Sequence, residues 1–137
     1  LVSVDTIAHE VLTRSGTGLN TLVSNRVYFA LAPASFGNTE AAIVIRPEDG
    51  MGNVWTPVVE RSYLVECWGG DADADNWVGA ESVWRAVRDA WHDAGKIETL
   101  TGVMMQGWEE QAGVPMVHPV TKHKYYVCRV GGKFRGA

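Results

Sequence analysis

Apolar residues recur at helical spacing in two stretches of the chain and alternate or run together in five others. In the first helical stretch Val4, Ile7, Val11 and Leu12 share a face, with Ser3 as the cap and Gly16 and Gly18 as the stop. LNTLVSN adds a further helical turn. In the second, Trp77, Trp84 and Trp91 return every seven residues, with Ala80, Val87 and Ala94 three positions after each. Arg85, Arg88, Asp89 and His92 fall elsewhere on that surface, and Gly95 supplies a C-terminal stop. Large aromatics beside small residues at this spacing mark a buried stripe. Trp77, Trp84, Val87 and Trp91 are therefore expected in the core, with Trp84 at the centre.

The strand-like runs are RVYFAL (26–31), AAIVIR (41–46), PVVERSYLVECW (57–68), KIETLTGVMMQGW (96–108) and KHKYYVCRV (122–130). PEDGMGNVW (47–55) and EEQAGVPMVHPVT (109–121) read as two long polar loops. GGKFRGA (131–137) reads as a flexible or partner-ordered tail. The order α, β, β, β, α, β, β, without repeats, predicts a single α+β domain over residues 1–137. Its expected form is a mostly antiparallel sheet with an N-terminal helix and one long amphipathic helix packed on it.

Composition narrows the function. The 137 residues are 46% hydrophobic and 20% charged, enough for a core without disulfides or metal. A net charge of −4 argues against a broad basic surface for nucleic acid or an anionic membrane. No apolar run approaches the roughly 18 residues of a membrane span. LVSVDTIAHEVLTRS has an early acid and no basic n-region, unlike a signal peptide. Cys67 and Cys128, both in strand-like segments, are expected as buried reduced thiols, which points to synthesis in a cytoplasm; a bridge between neighbouring strands is the alternative.

Candidate chemistry falls short motif by motif. Asp71, Asp73 and Asp75 match the first, third and fifth positions of an EF-hand-type loop. Position six is Asn76, not Gly, and position twelve is Ser82, not Glu, so the acids read as a helix entrance that caps orphan amides. His9-Glu10 begins H-E-x-x-H, but Thr13 stands where the second His belongs. His118 and His123 have no third ligand at metal spacing. GMGNVW lacks the third Gly of G-x-G-x-x-G and is followed by Thr56-Pro57 and a strand, not by the helix a pyrophosphate needs. Glu109 and Glu110 are adjacent, which arranges nothing for acid–base work. No catalytic set, metal site or cofactor is expected.

The layout resembles the tail-terminator or tail-completion proteins of long-tailed bacteriophages. After the N-terminal helix, RVYFALAP is similar to that family's R-V-Y-hydrophobic-x-x-x-P segment. AAIVIR, the long strand ending YLVECW, the Asp- and Ala-rich helix DADADNWVGAESVWRAVRDAW and the Lys/Tyr-rich KHKYYVCRV follow in the family's order. The likeness spans nearly the whole chain; the tryptophan-rich helix and the long segment 109–119 depart from it. It implies a non-enzymatic virion protein at the tail–neck junction, made in the host cytoplasm and assembled as a ring, usually of six. Its implied partners are further copies of itself, the major tail tube protein and the head–tail connector or stopper, with DNA passing through unread and no membrane involved. A head-completion or stopper ring is the nearest alternative, and a small-molecule-binding α+β domain or enzyme the more distant one.

Under that resemblance the two loops and the tail are the expected contact segments. The first offers Glu48, Asp49, Met51 and Trp55; the second offers Glu109, Glu110, Val114 and Met116; the tail offers Phe134 and Arg135. Apolar anchors within a polar rim are the composition of an interface centre.

Overall fold

In the computed structural model, which describes residues 4–30, 40–52, 58–70, 78–92, 96–120 and 122–136, the first helical stretch forms two helices. Ile7, Ala8, Val11 and Leu12 make the buried face of α1 (Val4–Thr13). Gly16, at φ 83°, turns the chain into α2 (Gly18–Val23). The Thr17 hydroxyl caps α2 by accepting from the Asn20 amide at 3.0 Å, and Leu19 and Val23 face inward.

The strands β1 (Val27–Phe29), β2 (Ala42–Gly52) and β3 (Val58–Trp68) follow, then α3 (Val78–Trp91), β4 (Ile97–Glu98), β5 (Gly102–Val117) and β6 (Lys124–Gly136). They form one six-stranded sheet in the order β1-β2-β3-β6-β5-β4. Only β1 and β2 run parallel; every other pair is antiparallel. Tyr63, Val65 and Cys67 of β3 and Cys128, Val130 and Phe134 of β6 alternate onto the face covered by the helices. Tyr63 is the hub there: its ring meets Phe29, Trp91 and Phe134 edge-on at 5.9–6.2 Å. Its buried hydroxyl donates to Asp5 Oδ1 at 2.8 Å, fixing the start of α1 to β3. Burial, with the Asp5 carboxylate second, pushes the Tyr63 phenol far above its usual range.

The expected architecture, one N-terminal helix and one long helix laid on a mostly antiparallel sheet, is overturned. Strands dominate, the sheet is a six-stranded half-barrel, and the helices are three short ones. Glycines, prolines and acids in 47–55 and 109–121 read as loop, yet β2 runs on to Gly52 and β5 to Val117. Both irregular compositions are absorbed by register shifts, one between Pro47 and Asp49 and three along β5. Residues 131–136, expected as a tail, are the second half of β6, and all but Gly136 lie between β3 and β5.

The tryptophan stripe is also redistributed. Trp91 and Val87 are fully buried, but the inward face of α3 is Ala80, Val83, Val87, Ala90 and Trp91. Trp84 flanks that face, half-buried, so it is not the central core residue. Trp77 and the acids Asp71, Asp73 and Asp75 lie outside the described residues. Cys67 and Cys128 are both free and buried on neighbouring strands; burial, then the adjoining Cys128, raises the Cys67 thiol well above its usual range.

Candidate assembly surfaces

One face of the sheet carries none of the described helices, and its side chains are set by alternation along β2, β3, β6 and β5. Arg46 pairs there with Glu66 at 3.1 Å, Arg129 with Glu48 at 2.6 Å and Lys133 with Glu60 at 3.6 Å. Ser62 donates to Glu110 Oε1 at 2.7 Å, and the Trp108 indole donates to the same oxygen at 3.3 Å. Glu48 and Glu110, expected on separate loops, thereby line one open cleft of about 380 Å³ with Ser62 and Arg129. Each of these acids is held by a donor or a cation. The Ser62 hydroxyl faces a carboxylate and no imidazole, so the cluster ties strands together and poises no nucleophile. Exposed pairs of this kind contribute only about 0–1 kcal/mol each.

The second surface is the outer side of β5. β4 pairs with that side only at Val103 and Met104, and the strand runs on past it to Val117. Val114, Met116 and Val117 are 40–45% exposed, and Val120 in the following turn is 81% exposed. The His118 amide donates to the His123 carbonyl at 2.8 Å. Counting back from that bond, Val114 and Met116 turn their main-chain groups to β6 and Pro115 turns outward. A proline at an outward position has no N–H to offer a new strand.

The helical side of β5 is closed by α3. Trp84 stacks on Tyr126 at 5.5 Å between ring centroids, and its indole donates to Glu109 Oε2 at 2.9 Å. Arg88 lies over the same indole at 5.4 Å. A Cβ on Gly113 would fall 2.6 Å from the Trp84 ring, so glycine permits this contact.

The expected contact residues therefore separate. Val114 and Met116 are on the open edge, and Arg135 is exposed near the end of β6. Phe134 is buried against Tyr63 and Trp91, which removes it as a contact. Glu109 is engaged by Trp84, and Glu48 and Glu110 belong to the cleft. Asp49 and Met51 lie on β2; Trp55 lies outside the described residues. Met105, in a run read as strand, and Val117, in one read as loop, are exposed residues of β5 that the sequence reading passed over.

The remaining sequence candidates are held by structural contacts. His9 Nε2 donates to the Val27 carbonyl at 3.1 Å, and Glu10 accepts from the Thr101 amide at 3.0 Å and from its hydroxyl. Among the described residues no group of three His, Cys, Asp or Glu gathers at metal-binding distance. No described helix is long and apolar enough to cross a membrane.

No protein-family model and no curated protein matches the chain. Among solved structures its fold is similar to that of a chain in "Virion of native gene transfer agent (GTA) particle". The superposition has a TM-score of 0.61, covers 90% of this chain and 88% of the other, and joins residues that are 18% identical. The likeness establishes a shared fold over nearly the full length of both chains.

Proposed function

We propose that the chain is a non-enzymatic structural subunit of a phage-like virion. In this reading it forms a ring at the tail–neck junction, ends the tail tube and joins it to the head-side connector. The observation that carries the reading is the fold shared over nearly its full length with a chain of a gene transfer agent virion particle. The resemblance of the sequence layout to tail terminators supplies the level within the particle. An open strand edge with clustered apolar side chains supports assembly, because patches of this kind are covered when subunits associate.

The test is to purify particles, detect the chain by mass spectrometry and locate a labelled subunit by electron microscopy. A single ring at the top of the tail is expected, and loss of the chain is expected to give tails of irregular length or tails unattached to heads. A ring on the connector side would assign the head-completion or stopper level instead. Absence of the chain from purified particles would end the virion reading.

A further inference from the structure

We infer that Cys67 and Cys128 are a thiol pair that the folded subunit keeps reduced, and that a disulfide between them, once formed, excludes the native sheet. The pair couples folding to a reducing environment, whatever place the chain takes in a particle.

The chain has two cysteines, so any disulfide within it must join these two. Both are free and buried, on the helix-covered face of the two central strands, β3 and β6. Their thiols are in hydrogen-bonding contact, which by itself invites a bridge. The register forbids it. Cys67 stands opposite Tyr126 and Cys128 opposite Val65, so the two are diagonal neighbours and not a facing pair. Diagonal positions of an antiparallel pair lie about 7–8 Å apart between Cα atoms, whereas a disulfide spans about 4.4–6.8 Å. Bridging therefore requires the backbone to move. Burial adds a kinetic barrier, because it holds the Cys67 thiol well above its usual range and the thiolate is the form that attacks.

The movement that would bring the sulfurs face to face is a slide of β6 along β3 by two residues, about 7 Å. Side chains alternate with a period of two, so this slide keeps every inward residue inward. The slid register is thus open to an unfolded chain, and the hydrophobic pattern does not reject it. What it loses is specific contact across the pair. Trp68 leaves its stack on Tyr125, and Tyr63 leaves its place opposite Val130 and its edge contact with Phe134. A bridged chain is held in a register that the native core cannot use. A chain folded while reduced keeps its thiols when its surroundings later become oxidising.

The experiment treats the purified chain with diamide, folded and in denaturant, and counts thiols by alkylation and mass spectrometry. In the oxidation both S–H bonds break and one S–S bond forms, while the N=N bond of the diazene takes up two protons and two electrons to give a hydrazine. The folded chain is expected to retain both thiols. In denaturant, at low protein concentration, the intrachain disulfide is expected to form. After the denaturant is removed, that chain is expected to melt about 10 °C or more below the parent, and to regain the parent melt on reduction. A bridged chain that melts like the parent would overturn the inference, as would bridging of the folded chain without loss of its native melt. Val65→Cys with Cys67→Ala separates register from access, since it places a thiol directly opposite Cys128 at an equally buried site. This variant is expected to bridge while folded. If it folds and resists diamide as fully as the parent does, access and not register protects the thiols, and the inference falls.

Discussion

β5 passes through two environments, and the contrast between its halves explains much of the molecule. In the first half Met104 is fully buried opposite Phe134, and Gly107 lies against Trp91. In the second half most residues from Glu110 to Val117 are exposed, held on one side by β6 and touched on the other by Trp84 alone among the tryptophans of α3. The same strand is a wall of the core and then a free margin. What changes along it is its neighbours: the turn before β5 is tied to α1, and β4 and Trp91 close its first half, while β4 stops short of the second. Stability is therefore expected to reside in the first half and assembly in the second.

The two described tryptophans of α3 give the largest measure of that difference. Trp91 is fully buried, donates from its indole to the Gly131 carbonyl at 2.8 Å and meets Tyr63 and Phe134 edge-on at 5.9 Å. Trp91→Ala is expected to cost about 3–5 kcal/mol, from a large cavity and an orphaned carbonyl. Trp84→Ala removes one stacked ring and one hydrogen bond at a half-exposed site and is expected to cost about 1–2 kcal/mol. Chemical denaturation of both variants measures the gap. Equal losses would mean that the exposed half of β5 is as much a part of the core as the buried half.

The glycines of the two halves repeat the comparison at smaller scale. A Cβ at Gly107 would stand 2.5 Å from the Trp91 carbonyl oxygen, which is main chain and cannot swing away. Gly107→Ala is expected to cost about 1–3 kcal/mol as an overpacking change. At Gly113 the obstacles are the Trp84 and Tyr126 rings, side chains at a partly exposed site that can shift where main chain cannot. Gly113→Ala is therefore expected to cost less, and to quench or shift Trp84 fluorescence while doing so. A larger loss at Gly113 than at Gly107 would reverse the assignment of the two halves.

The closed end also carries a pH signature. Partial burial pushes the Glu10 carboxyl upward, but hydrogen bonds from Thr101 and Thr99 outweigh it and leave the group below its ordinary 4.5. A carboxyl lowered by folding adds stability above 4.5, and that contribution is lost as pH falls through the lowered folded value. Wild type is expected to exceed Glu10→Gln near neutral pH and to converge with it under acid. Denaturation midpoints from pH 7 downward check this, and a gap that widens with acid would contradict it.

These contrasts locate what was legible in the sequence. The periodicity of Ile7, Val11 and Leu12 led to a buried face, and the strand-like run 57–68 led to β3, where Tyr63, Val65 and Cys67 turn inward. Trp84 was misjudged because heptad spacing cannot say where a stripe leaves the sheet; α3 crosses to the β5 margin, and Trp84 goes with it. Residues 47–52 and 109–117 were misread for a different reason. Gly113, Pro115 and the paired glutamates are loop composition, and only pairing with Val127, Tyr126 and Arg129 of β6 makes them strand. Phe134 looked like a tail anchor because Gly131 and Gly132 precede it. In the sheet those glycines instead admit Trp108, Glu110 and the Phe134 ring. Long-range pairing decided each case, and local pattern carries none of it.

The smallest expected effect concerns the margin itself. Val114, Met116 and Val117 are each about two-fifths exposed, and in strand geometry they already spend their buried area against β6 neighbours such as Val127 and Tyr125. Replacing Met116 by Ser removes little area from contact in the isolated subunit, so its cost is expected within about 0.5 kcal/mol, as at ordinary surface sites. The same change at Met104, fully buried in the closed half, is expected to cost about 2–5 kcal/mol, because it leaves a cavity beside Phe134 and a hydroxyl without a water shell. The pair thus holds the strand and the parent residue type constant and varies only the neighbours. Thermal melts of both variants, run on purified subunit at one protein concentration, make the comparison direct. Similar losses at the two methionines would mean that the second half of β5 is packed within the subunit and is not held open for another chain.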